Sequence, residues 1–164
     1  GVSVQSPDQL IDSIRNKNIT IIQMPFNILD WRWDKAINAI IQEKKKRKII
    51  IHARSPLLQG LFVSNDKKKW YLANEKNPII YIDWLDDMAK KFKRMDKIDL
   101  CLSYLRSFSW IDGIVLGIES IEQLKKNMIY FGAPLLEKNV LKIIEDKRPK
   151  LASDSLDPSQ WRIE

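Results

Sequence analysis

The sequence predicts an α/β fold of parallel βα units, four in a row, half the number in an eight-unit barrel. Three observations carry this. Strand-like runs at residues 2–5, 19–24, 48–53 and 110–117 are each followed by a helix signal. They are short and apolar, as in strands of a parallel sheet covered on both faces. The third opens Ile49-Ile50-Ile51, breaks at Ser55-Pro56 and runs on to Gly60, so a strand delivers its C-terminal end to a loop. In barrels of parallel strands, ligands bind at that end.

Each element has a local reason. Strand 2–5 leads into Ser6-Pro7-Asp8-Gln9, with Ser at the cap, Pro at the first helical position and Gln three residues after the cap. Leu10, Ile11 and Ile14 form that helix's apolar face, and residues 16–18 stop it. Strand 19–24 closes at Pro25, which has no N–H for the ladder. Gln23 is its polar exception. Residues 27–33 read as a loop or short turn in which Trp31 and Trp33 pack, with a substrate mouth as the alternative. Trp33, Ala36, Ile37, Ile40 and Ile41 then recur on one helical face. Residues 43–48 are that helix's cationic end, favoured by its dipole.

After loop 54–62, residues 63–78 are polar, carry Asn65-Asp66 and Asn77-Pro78 turn signals, and read as a surface excursion. Helices are expected over 82–88 and 89–107. The second places Ile98, Leu102 and Leu105 on one face with Cys101 beside them as a small core residue. Strand 110–117 is followed by a second capping box, Ser120-Ile121-Glu122-Gln123, and by the apolar stripe Ile121, Leu124, Met128 and Phe131. Gly132-Ala133-Pro134 is a break, 135–144 a last helix, and 147–164 a tail that Trp161 would anchor.

The bulk numbers set bounds. The 164 residues suit a single domain, 1–164, and with 45% hydrophobic and 30% charged residues the chain is not a disordered one. No run is apolar and long enough to cross a membrane, and no signal-peptide layout opens the chain. One cysteine allows no internal disulfide, which suits a reducing compartment, and a cytoplasmic location is expected. No metal-ligating set is expected. The net charge of +7 reads as solvated lysine-rich faces. A nucleic-acid partner for residues 44–48, 67–69 and 90–94 is the weaker alternative. The chain opens GVSV, without an initiator Met and already inside a strand, as the remainder of a longer polypeptide would.

Read in order, GVSV, IIQMPFNIL, HARSPLLQGL, VLGIESIEQLKKN and DPSQW resemble the second half of the aldo-keto reductases, from the fifth barrel strand to the C-terminal end. The resemblance implies half of a TIM (β/α)8 barrel and reduction of aldehydes or ketones with NAD(P)H. It implies that Ser3 and Gln23 hydrogen-bond the nicotinamide carboxamide. Arg54 stands where many members stack an aromatic ring on the nicotinamide, and a planar guanidinium also stacks. Ser55, Leu57, Gln59 and Gly60 would wrap the pyrophosphate, and Ser120, Gln123 and Asn127 would lie along the adenosine end. The residues support this on their own terms. Gly60 permits close backbone approach, and the free N–H groups of a helix start near Ser120 favour anions. The capping box alone also accounts for Ser120 and Gln123.

Two departures matter. Val4 stands where the family often has Asn, which removes one amide contact. Glu119 stands where NADP-preferring members carry Lys or Arg. A carboxylate repels a 2′-phosphate and accepts from ribose hydroxyls, so NAD is favoured over NADP. The family's catalytic Asp, Tyr, Lys and His lie in its first half, and no residue here occupies those motifs. No catalytic residue is assigned. His52, the only histidine, does not match the catalytic one and reads as structural, with a site role as the alternative. The chain is expected to be the NAD(P)-binding C-terminal portion of such an oxidoreductase, inactive alone. Its partner would be the missing N-terminal half, in the same chain or another. The alternative is a non-catalytic half-barrel that pairs with its own copy.

Overall fold

Strands β1 (Val2–Ser3), β2 (Ile21–Pro25), β3 (Ile50–Arg54) and β4 (Gly113–Val115) pair in parallel in the order β1-β2-β3-β4. Helices alternate with them: α1 (Pro7–Arg15) after β1, α2 (Ile37–Lys46) after β2, and α6 (Ile121–Gly132) then α7 (Lys138–Lys147) after β4. Three helices, α3 (Lys67–Leu72), α4 (Ile79–Lys91) and α5 (Lys97–Arg106), follow β3. The structure, a computed structural model, describes residues 1–162; Ile163 and Glu164 of the expected tail lie outside the described residues.

Side chains alternate across a strand, so each strand feeds two faces. Ile22, Met24, Ile51 and Ala53 are fully buried on the helix-covered face. Ser3, Gln23, His52 and Arg54 stand on the other face, which no helix among the described residues covers. The expectation of a sheet covered on both faces is therefore corrected: only one face is packed, and Ile21 and Val115 stay exposed. Free edges remain on β1 and β4.

The first cap forms as the spacing requires, except that Gln9 reaches back one residue beyond the cap. Ser6 Oγ accepts from the Gln9 N–H at 3.3 Å, and Gln9 Oε1 accepts from the Gln5 N–H at 2.7 Å. The 63–78 excursion contains α3. Asp66 caps it through the Lys68 N–H (2.9 Å), and Trp70 is fully buried, stacked on Tyr81 with centroids 5.7 Å apart. Three adjacent lysines hide in sequence a helix that one aromatic side chain anchors. The break between α4 and α5 falls at residues 92–96 rather than 88–89. Lys93 adopts φ 52°, and Asp96 starts α5 by accepting from the Asp99 N–H at 3.0 Å. Trp110 precedes β4 and packs edge-on to Phe26 at 5.0 Å instead of entering the sheet. The last helix starts at Lys138 rather than 135.

Two findings concern the ends. The apolar stripe of α6 is exposed, with Ile121 at 66% and Met128 at 68% of full exposure. The tail is docked: Leu151 and Leu156 are buried, Trp31 Nε1 donates to the Leu151 carbonyl (2.9 Å), and Trp161 Nε1 donates to the Ser155 carbonyl (2.9 Å).

Candidate functional site

Parallel pairing puts the C-terminal ends of all four strands on one edge of the sheet, with the loops that leave them. Ser3 ends β1 and lies in register with Gln23 of β2; Ser3 is exposed and Gln23 half-buried. Gln23 pairs on its other side with His52, and Arg54, two residues on, ends β3. The site residues predicted on β1, β2 and β3 thus converge on the open face.

Arg54 is held loosely. Nη2 donates to the Val4 carbonyl and Nη1 to Ser55 Oγ, both at 3.4 Å. Partial burial lowers its pKa, opposed by the nearby carboxylate of Asp157. Asp157 was not singled out in the sequence, although the block DPSQW contains it. It caps the tail's last turn through the Ser159 N–H (3.1 Å), and nothing local to the sequence announces that its charge reaches Arg54.

The loop after β3 is wound left-handed. Ser55 (φ 61°), Leu58 (45°), Gln59 (54°) and Gly60 (76°) all have positive φ. For non-glycine residues this costs on the order of 1 kcal/mol each, so neighbouring structure must enforce it. Buried Leu58, Leu61 and Phe62 do so, with the Leu58 N–H donating to the Ser55 carbonyl at 3.1 Å. Leu57 packs its side chain against the core, leaving only its backbone for a ligand. Gln59 is exposed, and a Cβ on Gly60 would meet nothing within 4 Å.

After β4, Glu119 is exposed and Ser120 caps α6. Ser120 Oγ accepts from the Gln123 N–H (3.1 Å), and Gln123 Oε1 accepts from the Glu119 N–H (2.9 Å). The cap therefore occupies both side chains. Asn127, half-buried, lies one turn beyond Gln123 on the same helical face.

Trp33 is fully buried and its Nε1 donates to Asp30 Oδ2 at 3.0 Å, which removes it from any substrate mouth. Asp30, itself buried, also accepts from Arg32 Nε (2.8 Å) and Nη2 (2.7 Å), so the loop after β2 is a packed support. Two clefts lie elsewhere. One of about 500 Å³ is lined by Ile14, Arg15, Lys17, Glu43, Lys46 and Arg47 between α1 and α2. Another of about 310 Å³ lies beside the free edge of β4, against Phe131 and Leu135. Neither contains a predicted site residue; the convergent residues lie on an open surface. Among the described residues no cluster of three or more His, Cys, Asp or Glu side chains is placed to hold a metal ion, and no helix is long and apolar enough to cross a membrane.

Comparison with known proteins agrees with this architecture. The model of the Aldo/keto reductase family matches residues 1–148. Among solved structures, aldo-keto reductase AKR11C1 from Bacillus halodurans in its holo form is 21% identical with a TM-score of 0.68, covering 94% of this chain and 52% of its own. Its apo form is 19% identical with a TM-score of 0.64, covering 94% and 53%. A thermostable aldo-keto reductase, Tm1743, in complex with the inhibitor epalrestat, is 20% identical with a TM-score of 0.59, covering 89% and 47%. No curated protein matches. The chain spans about half the length of the solved structures it matches. With the family model matched across most of its length and the same parallel βα fold, the chain belongs to the aldo/keto reductase family.

Proposed function

We propose that this chain holds a nicotinamide dinucleotide, NAD in preference to NADP, for an oxidoreductase acting on aldehydes or ketones. The catalytic Asp, Tyr, Lys and His come from an N-terminal half in the same chain or another. The observation that carries this reading is the convergence of Ser3, Gln23, Arg54, loop 55–60 and the start of α6 on one edge of the sheet. The residues fit the group. Ser3 and Gln23 together offer donors and acceptors to a carboxamide. Gly60 leaves open space where a pyrophosphate would approach the backbone, and α6 turns its first N–H groups toward the same edge. Exposed Glu119 suits ribose hydroxyls better than a 2′-phosphate. When bound, the cofactor supplies hydride for a carbonyl carbon. The chain's own part is to orient the nicotinamide and anchor the phosphates.

Titration with NADH and NADPH, followed by fluorescence of the six tryptophans, tests this. Saturable quenching is expected with NADH, weaker with NADPH, and Glu119→Arg should reverse the order. No saturable response to either overturns the reading.

One observation favours a second reading, a non-catalytic half-barrel that pairs with its copy. The exposed α6 side chains Ile121, Leu124, Met128 and Ile129 follow a strand with a free edge. A concentration-dependent dimer that Met128→Glu with Ile129→Glu dissolves supports pairing; a monomer at all concentrations excludes it.

A further inference from the structure

The cleft between α1 and α2 has no part in the dinucleotide reading. Helix α1 joins β1 to β2 and α2 joins β2 to β3, all parallel, so both helices end at the edge where strands begin, opposite the candidate site. The cleft lies on the helix-covered side, between two helices of this chain, and not on the open face that a second half would cover. Its volume of about 500 Å³ falls in the range of small-molecule sites. Ile14, Arg15, Lys17, Glu43, Lys46 and Arg47 line it: four cations and one carboxylate.

These charges have different employments. Arg47 clasps the two helices together. Its Nε donates to Glu43 Oε1 (2.6 Å), Nη1 to the Ile19 carbonyl (2.6 Å) and Nη2 to the Ile14 carbonyl (3.0 Å). That pair is neutral within itself and fixes the walls. Arg15 meets only Asp12, at 3.2 Å, with both side chains 75% exposed. Such a surface pair is worth under about 1 kcal/mol and is readily exchanged. Lys17 and Lys46 are exposed, one on each wall, and neither makes a hydrogen bond or an ion pair among the described residues. Two helix C-termini together carry about one negative charge. Lys17 and Lys46 exceed it, so the dipoles alone do not account for the cations gathered here.

We propose that this cleft binds a compact polyphosphate anion, held between Lys17 and Lys46, with Arg15 turning from Asp12 to a terminal phosphate. A guanidinium grips a phosphate through two parallel N–H bonds, and an ammonium meets it as a point charge. Cations on facing walls of a concave site suit a compact anion. A nucleic-acid strand would need phosphate contacts repeated along an extended surface. The site is independent of the dinucleotide reading.

Calorimetry at constant ionic strength tests it, with tripolyphosphate titrated into the unmodified chain with and without excess NADH. One saturable site is expected, unchanged by NADH. Lys17→Gln with Lys46→Gln should weaken it at least about tenfold, while Lys67→Gln with Lys69→Gln, the same loss of charge on α3, should leave it within about twofold. All four lysines are exposed, so both variants should fold, which circular dichroism checks. ATP, titrated with NADH in excess, separates two sources of the anion. Equal affinity assigns a free polyphosphate and tighter binding a nucleotide's, and either supports the site. No saturable heat, equal loss in the two variants, or displacement by NADH overturns the proposal. So does an oligouridine that binds more tightly than tripolyphosphate and weakens equally in both variants. Failure of NADH to bind would count against the dinucleotide reading alone.

Discussion

Nη2 of Arg148, just past α7, donates to both carboxylate oxygens of Asp34, 114 residues earlier. The pair fastens the tail against the segment that follows β2. The arginine side chain is only 4% exposed and the aspartate 52%. Burial disfavours the guanidinium charge, but the bond to Asp34 together with nearby Tyr104 and Glu145 outweighs it and raises the pKa. Asp34→Ala takes from this buried cation its one direct carboxylate contact and should cost about 2 kcal/mol, a fall in Tm of roughly 5 °C for a chain this size. Arg148→Met removes the charge with its stem kept and should cost less. Thermal unfolding followed by circular dichroism checks the order.

Two glycines in equally open space should respond with opposite sign. Gly60 sits at φ 76° and Gly132 ends α6 without positive φ; a Cβ on either would meet nothing within 4 Å. Gly60→Ala should destabilise by about 1 kcal/mol through backbone strain. Gly132→Ala should stabilise by about 0.5 kcal/mol through helix propensity. Urea midpoints at constant m-value distinguish the two.

Asp96 sets part of the acid limb. Burial pushes its pKa up, but the Tyr130 hydroxyl, the Asp99 N–H and Lys126 outweigh it and hold it below the usual carboxylate value. A folded pKa below the unfolded one stabilises above about pH 4 and is lost as pH falls through the folded value. Asp96→Asn should therefore lower stability at pH 7 and flatten the loss between about pH 4 and pH 2. Unfolding free energy measured across that window tests it.

Cys101 is fully buried, and burial pushes its thiol up to about 12. The thiolate is the reactive form. The native chain should resist a chromogenic disulfide reagent at pH 8, and one thiol per chain should react once denaturant is added. Rapid labelling of the folded protein would count against this packing.

Carbonyl reduction is expected to need residues beyond these. Purified chain with NADH and a generic aldehyde should show no turnover above the uncatalysed rate, read by loss of absorbance of the reduced cofactor. Measurable turnover would place a proton donor among the residues described.

Local signals were legible where a single segment satisfies itself. Ser6 and Ser120 both cap the helices their spacing announced, because a capping box closes within four residues. The strand centres at Gln23 and Ile51 were legible because short apolar runs between turn signals have few alternatives. Where a partner lies far along the chain, the sequence was silent or misleading. Trp70 turns a lysine-rich stretch into a helix by packing on Phe62 and Tyr81. The apolar stripe of α6 is announced by its spacing, yet its side chains stay exposed.

From sequence alone came the alternation of strands and helices, the family blocks, and the side chains at strand ends that could meet a dinucleotide. The alternation depends on residue type and short spacing, and the dinucleotide-facing side chains on what the family resemblance implies. Only the folded chain decided that Ser3, Gln23 and His52 share one row, that the tail docks through Leu151 on Trp31, and that, among the described residues, one face of the sheet stays open. Register, tail docking and burial are contacts between distant segments, and hydrophobic period carries no address for the partner.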